Sequence, residues 1–197
     1  MVRRPAIGSV FALLTLAGRA FAQQMPVPVD VQVPVLLKVL AFDRRIADAR
    51  GEKLVVGVLY QSGFRLSSTV KDWVMDALSR TGSSGPANRP LNVVAVDADG
   101  KENLEKALTS LGVKVLYVTP LRAFDLPSLV AATRRSRTLT MTGVPEYVEA
   151  GLSVGLDLRQ DRPRILVNLR AARAEGADFA APLLVLATVV DGREARP

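Results

Sequence analysis

KLVVGVLY, Lys53 to Tyr60, is a short and almost unbroken apolar run. A strand with one wet face alternates apolar and polar residues, so a run that is apolar throughout reads as a strand covered on both faces. Leu91 to Val96, Val113 to Val118 and Thr138 to Met141 repeat the pattern. Segments of helical period lie between them. Leu66, Val70, Trp73, Val74, Ala77 and Leu78 share one side of a helix, and Leu104, Ala107, Leu108 and Leu111 share one side of another. Leu126, Leu129 and Val130 mark a third. Buried strands alternating with amphipathic helices predict parallel βαβ units, and right-handed crossovers place the helices on both faces of the sheet.

Outward from that centre the rhythm changes. Val35, Val39, Phe42, Ile46 and Ala49 recur on one helical face, which predicts a helix ended by Gly51. Pro26, Pro28 and Pro34 predict an extended lead-in over residues 23–34. On the other side, Leu152 to Leu158 and Ile165 to Leu169 are separated only by Arg159 to Arg164, so they are expected to pair antiparallel. Two helices are expected to follow, the last starting near Pro182, where proline is tolerated. The expected fold is a single α/β domain: a mostly parallel four-stranded sheet with helices on both faces, plus a C-terminal antiparallel hairpin and helices. Its expected bounds are residues 35–190, with 191–197 a disordered tail.

The first 22 residues read as a removable segment. Arg3 and Arg4 form a positive start, Ala6 to Ala17 an apolar run too short to span a bilayer, and Ala20-Phe21-Ala22 a small-residue cleavage site. A signal peptide cleaved after Ala22 predicts an exported, periplasmic protein. The whole chain has 197 residues and a formal charge of +7. Residues 1–22 hold Arg3, Arg4, Arg19 and no acid, so the remainder carries 23 basic against 19 acidic residues. An excess of about +4 serves solubility and does not imply nucleic acid. There is no cysteine, which excludes disulfides and lipoprotein attachment, and no histidine, which removes the Ser-His-Asp and Cys-His arrangements and the usual zinc sites.

Candidate sites are few. Ser68-Thr69-Val70-Lys71 fits S-x-x-K, the nucleophile motif of penicillin-recognising enzymes, but the partner motifs are absent and a helix start explains it. Asp97-x-Asp99-Gly100 matches only the opening of a calcium loop and reads as a strand-to-helix turn. Topology gives the better guide, since ligands settle outside the carboxyl ends of the strands in an open α/β sheet. Those ends are Gln61-Ser62-Gly63, Asp97 to Gly100, Thr119-Pro120 and Thr142 to Pro145. Ser62, Gly63, Asp97, Asp99, Thr142 and Gly143 are therefore the candidate ligand- or partner-binding residues. The small residues there leave room and free amides. Arg134, Arg135 and Arg137 cluster at a helix end. They are a candidate partner surface, although compensation of the helix dipole also accounts for them. No metal or cofactor is implied.

The last quarter, Gly151 to Val190, reads GLSVGLDLRQDRPRILVNLRAARAEGADFAAPLLVLATVV. Its Ile165-Leu166-Val167-Asn168-Leu169, then Ala171-Ala172, Gly176, Leu183-Leu184-x-Leu186-Ala187 and Val189-Val190 resemble the C-terminal signature of the YfiR-like family of periplasmic proteins. Asn168 and Gly176 are the motif's structural residues; the Asn168 amide is expected to satisfy backbone groups where strand meets helix, with capping of that helix as the variant. Where many of the family have a glycine pair, this chain has Ala150-Gly151. The resemblance implies a single α/β domain without catalytic residues that regulates an inner-membrane diguanylate cyclase, and with it cyclic-di-GMP signalling and biofilm. The implied partners are the periplasmic region of that sensor or cyclase and an envelope lipoprotein; a homodimer is left open. The alternative is a periplasmic small-molecule sensor or solute-binding module on the same sheet.

Overall fold

The computed structural model describes residues 25–49, 53–81, 85–100 and 103–191. The expected signal segment and the tail beyond Asp191 lie outside those residues. Strand β1 (Leu54–Tyr60) sits inside the sheet, parallel to β2 (Leu91–Asp97) on one side and to β3 (Val115–Val118) on the other. Beyond β3 come β4 (Leu139–Thr142) and β5 (Val154–Arg159), both parallel. Strand β6 (Arg162–Val167) turns back antiparallel to β5, and β7 (Ala187–Val189) closes the row parallel to β6. The result is one seven-stranded sheet, ordered β2-β1-β3-β4-β5-β6-β7.

The α/β class and the mostly parallel sheet agree with the sequence reading; the strand count does not. The hairpin is not an appendage to a four-stranded sheet, because Met141 and Thr142 of β4 pair with Val154 and Gly155 of β5. The hairpin is also tighter than expected. Arg159 pairs with Arg162, and Gln160 and Asp161 both have left-handed φ, the geometry of a two-residue hairpin turn. The seventh strand comes from residues expected to be helical. Helix α8 (Ala181–Leu186) stops at Leu186, and the β-branched Thr188 and Val189 align with Leu166 and Val167.

The N-terminal reading is also corrected. Residues 29–34 are not extended: helix α1 spans Val29–Leu40, and Pro28 stands at its N-cap. Pro34 is on the exposed side of α1, where losing one backbone bond costs less than the burial of Val29, Val33, Leu36, Val39 and Leu40 gains. The expected helix over 35–49 is two helices. The first stops at Leu40, and Asp43 accepts the Arg45 N–H as N-cap of α2 (Arg44–Asp48) and bridges to Phe179.

Two apolar layers result. One packs α1, α3 (Arg65–Arg80), α7 (Leu169–Ala174) and Leu183 of α8 over Leu54, Val56, Val58, Val115, Tyr117, Leu139 and Met141. The other packs α4 (Leu104–Ser110), α5 (Leu126–Ser136) and α6 (Pro145–Glu149) over Leu59, Val96, Leu116 and Val118. Alternate residues of β3 thus face opposite layers, which is why its sequence is apolar throughout. Three expected inward residues turn out exposed: Leu66, Leu111 and Trp73, the last at 56%. Strand β2 is an edge strand, half open to solvent rather than buried.

Candidate functional site

The carboxyl ends of β1, β2 and β3 converge, and the sheet order puts the reversal of strand progression between β1 and β3. That is where an open α/β sheet leaves a crevice. Here the chain itself bridges the crevice. Gln61 Nε2 donates to Asp99 Oδ1 at 3.2 Å, and Gln61 Oε1 accepts the Arg122 N–H at 2.6 Å. Below them, Ser67 Oγ accepts the Gln61 N–H and shares a 2.7 Å hydrogen bond with Thr119 Oγ1. The Arg122 guanidinium lies 5.3 Å from the centre of the Phe64 ring, across the same gap.

Four of the expected site residues meet here. The Ser62 N–H donates to Asp97 Oδ1 at 3.2 Å, the Gly63 N–H to Asp99 Oδ2 at 2.8 Å, and the Asp99 N–H to Asp97 Oδ1 at 3.0 Å. The geometry differs from the expectation in one respect: the amides are not free. Two carboxylates of the β2 loop occupy them, which makes the pair of loops a closed latch. Partial burial opposes ionisation of Asp97, but the hydrogen bonds from Ser62 and Asp99 outweigh it and hold the carboxyl below its ordinary value. The calcium reading fails on the same ground, since these oxygens face N–H donors.

Thr142 and Gly143 lie apart and are buried. Thr142 Oγ1 donates to Val118 O and accepts the Val144 N–H. Gln32 of α1, fully buried, covers Gly143 so closely that a Cβ there would fall on its amide. Gln32 Nε2 donates to Val27 O, and Tyr117 Oη donates to Gln32 Oε1 at 2.7 Å. Burial raises the Tyr117 phenol above its ordinary value, so it stays a donor. Tyr147 does a similar job on α6: its Oη accepts the Leu121 N–H and donates to Leu121 O, and burial pushes its pKa up to about 12. The room expected at Thr142-Gly143 is therefore filled from within.

The three arginines do not form one surface. Arg135 Nε pairs with Glu105 Oε2 on α4 at 2.5 Å, and Arg134 lies over Gly151. Arg137, in a left-handed conformation at the end of α5, turns toward α2. The S-x-x-K pair is not assembled. Ser68 Oγ donates to Gln61 O, while Lys71 Nζ pairs with Asp72 at 2.6 Å and sits over the Tyr60 ring. Asn168 is the N-cap of α7: its Oδ1 accepts the Ala171 N–H and its Nδ2 donates to Val148 O. Gly176 follows α7 with φ +85, the left-handed exit that glycine favours.

One residue escaped the sequence reading. Glu175, at the end of α7, is fully buried. Its Oε1 meets Thr133 Oγ1 at 2.8 Å and Thr140 Oγ1 at 3.0 Å; its Oε2 accepts the Thr140 N–H at 2.8 Å and the Ser153 hydroxyl at 2.5 Å. Burial raises its pKa, and the four hydrogen bonds only partly offset that. In the neutral acid, Oε1–H can donate to Thr133 Oγ1, which itself donates to Val130 O. No sequence signal marks it: Arg173-Ala174-Glu175-Gly176 reads as a wet helix end.

Among the described residues no group of acidic side chains is arranged to hold a metal, and no helix is long and apolar enough to cross a membrane. The arrangement is a doubly wound sheet whose strand ends are latched to one another. The family comparison is specific. The model described as YfiR/HmsC-like matches residues 56–188, and the chain belongs to that family, one of periplasmic regulatory proteins. No curated protein sequence matches. Among solved structures, a conserved domain protein from Vibrio cholerae O1 biovar eltor aligns over 82% of this chain and 60% of its own length, at 15% identity and TM-score 0.58. The ABC domain from Streptococcus pneumonia, solved in complex with L-Trp, aligns over 83% and 60%, at 16% identity and TM-score 0.57. These likenesses establish the fold alone, and the chain spans about 60% of either protein.

Proposed function

We propose that this protein is a non-enzymatic periplasmic regulator that docks on the periplasmic region of an inner-membrane signalling protein such as a diguanylate cyclase. Docking would shift that protein between two states by differential binding, and an envelope lipoprotein would compete for the same surface. Family membership supports the regulatory part. The observation that carries the docking part is the β7 edge. Val185 is 84% exposed, Leu186 66% and Val189 48%, all beside a strand whose outer edge has no partner among the described residues. Exposed apolar side chains along an open strand edge suit a partner that adds a strand or an apolar helix.

The test is a deletion strain complemented with either the natural gene or Val185→Asp/Leu186→Asp. Deletion should change cellular cyclic-di-GMP and the natural gene should restore it. The doubly substituted protein should melt like the natural one yet fail to restore the level, as should a version lacking residues 1–22. Unchanged cyclic-di-GMP on deletion would sink the proposal.

A further inference from the structure

The amino ends of the parallel strands hold a second concavity, remote from the latched loops. Arg45, Ile46 and Ala49 line it from α2, Arg89 from the turn before β2, Lys114 from the residue before β3, and Arg137 from the end of α5. The cleft measures about 250 Å³, and four of the six described residues that line it are cationic. None of those six is acidic. Like charges gathered in one concavity raise the local potential and attract a counter-charge.

The cations are positioned largely by backbone. Arg89 is buried and donates to the carbonyls of Ile46 and Lys53, both at 3.4 Å. Arg45 Nη1 donates to Arg137 O at 3.1 Å and to Glu175 O at 3.3 Å. Its Nη2 is buried and makes no hydrogen bond, but it forms an ion pair with Asp43 Oδ2 at 3.6 Å. Asp43 Oδ1 is taken by the N–H groups of Arg45 and Asp178. Lys114 and Arg137 are exposed, and neither side chain pairs with a carboxylate among the described residues.

We propose that this cleft seats a phosphate group, held by Lys114 and Arg137 against the fixed walls of Arg45 and Arg89. Arginine forks match the oxygens of phosphate, and lysine adds a compact point charge. A phosphate offers enough oxygens to meet both exposed cations at once, whereas a carboxylate engages one fork. The volume lies below the roughly 300–1,000 Å³ of sites for drug-sized ligands, which fits one phosphate group or a short monoester. Strands β5 and β6 separate the cleft from the β7 edge, so the proposal does not rest on the docking reading.

Isothermal calorimetry and thermal melting of the exported, purified protein with inorganic phosphate test this, with chloride holding ionic strength constant. Phosphate should bind saturably and raise the melting temperature. Lys114→Gln and Arg137→Asn should each weaken binding about tenfold. Both positions are exposed, and asparagine tolerates the left-handed backbone of Arg137, so both variants keep the fold. Arg134→Gln, outside the cleft, should leave affinity unchanged. Two arms separate the sources of the group. Competition by glycerol 3-phosphate assigns a soluble monoester; flotation with phosphatidylglycerol vesicles that depends on Lys114 and Arg137 assigns a lipid headgroup. No effect beyond chloride, equal binding of succinate, or affinity unmoved by both substitutions would overturn the proposal.

Discussion

Glu175 is where a single side chain decides most. Its raised pKa means that the folded state holds the proton more tightly than the unfolded chain does. Its contribution is therefore fully present below the ordinary glutamate value of 4.5 and declines as pH rises toward the folded pKa. Glu175→Gln keeps the shape, accepts from Thr140 N–H and donates in place of the acid proton. Denaturant unfolding between pH 4 and 8 should show the natural protein losing stability across this range relative to Glu175→Gln. Glu175→Ala strands the Thr140 N–H and opens a void, at a cost of about 2–4 kcal/mol. Asp97 has the opposite sign. Its pKa is lowered, so the latch contributes above the ordinary aspartate range and is lost as pH falls through the folded pKa. Asp97→Asn should destabilise at neutral pH, and the difference should vanish in acid.

At the scale of elements, the β6–α7 junction and the α6–β5 contact carry the clearest consequences. Asn168→Ala removes the α7 cap and the bond to Val148 O, which predicts a loss of about 1–2 kcal/mol in urea unfolding. Asn168→Asp keeps an acceptor for the Ala171 N–H but has no donor for Val148 O, so it should recover only part of the loss. Gly155 is needed for a different reason: a Cβ there would overlap Val148 Cγ2, so Gly155→Ala should cost about 1–3 kcal/mol by overpacking. Local chemistry made a structural role for Asn168 at the strand–helix junction readable in advance, with capping as one form of it. KLVVGVLY was readable as a buried strand for a similar reason, since burial on both faces is written into its own composition. The Gln160-Asp161 turn was not readable, because neither residue is the glycine that usually announces a two-residue hairpin. Helix α1 was misread because three prolines outweighed an apolar period that in fact begins at Val29. The register of Pro34 on the wet side decides that question, and it becomes visible only once the helix is packed.

The whole molecule shows why the site was the least legible part. Ser62, Gly63, Asp97 and Asp99 were named as candidates because a topological rule points to strand ends wherever they occur, and the strands were recognised. What the rule could not supply is that Asp97 and Asp99 occupy the very amides it points to. Glu175 and the cleft around Arg45, Arg89, Lys114 and Arg137 draw on segments far apart in the chain, so no local pattern signals them. The same long-range logic fixes where the folding unit begins. Val27, Val29 and Val33 are buried, and the Gln32 amide closes the Thr142-Gly143 loop and satisfies Tyr117 Oη. A chain starting at Val35 loses these apolar side chains, each worth about 1.5–3 kcal/mol, and strands a buried phenol. That sum rivals the entire stability of an ordinary domain. A chain starting at Gln23 should melt in one cooperative transition by circular dichroism, while one starting at Val35 should show no transition or a greatly lowered one. Equal melting of the two would mean that α1 is an ornament on the sheet rather than part of its core, and that the Gln32 contact with β3 and the Thr142-Gly143 loop does not hold in solution.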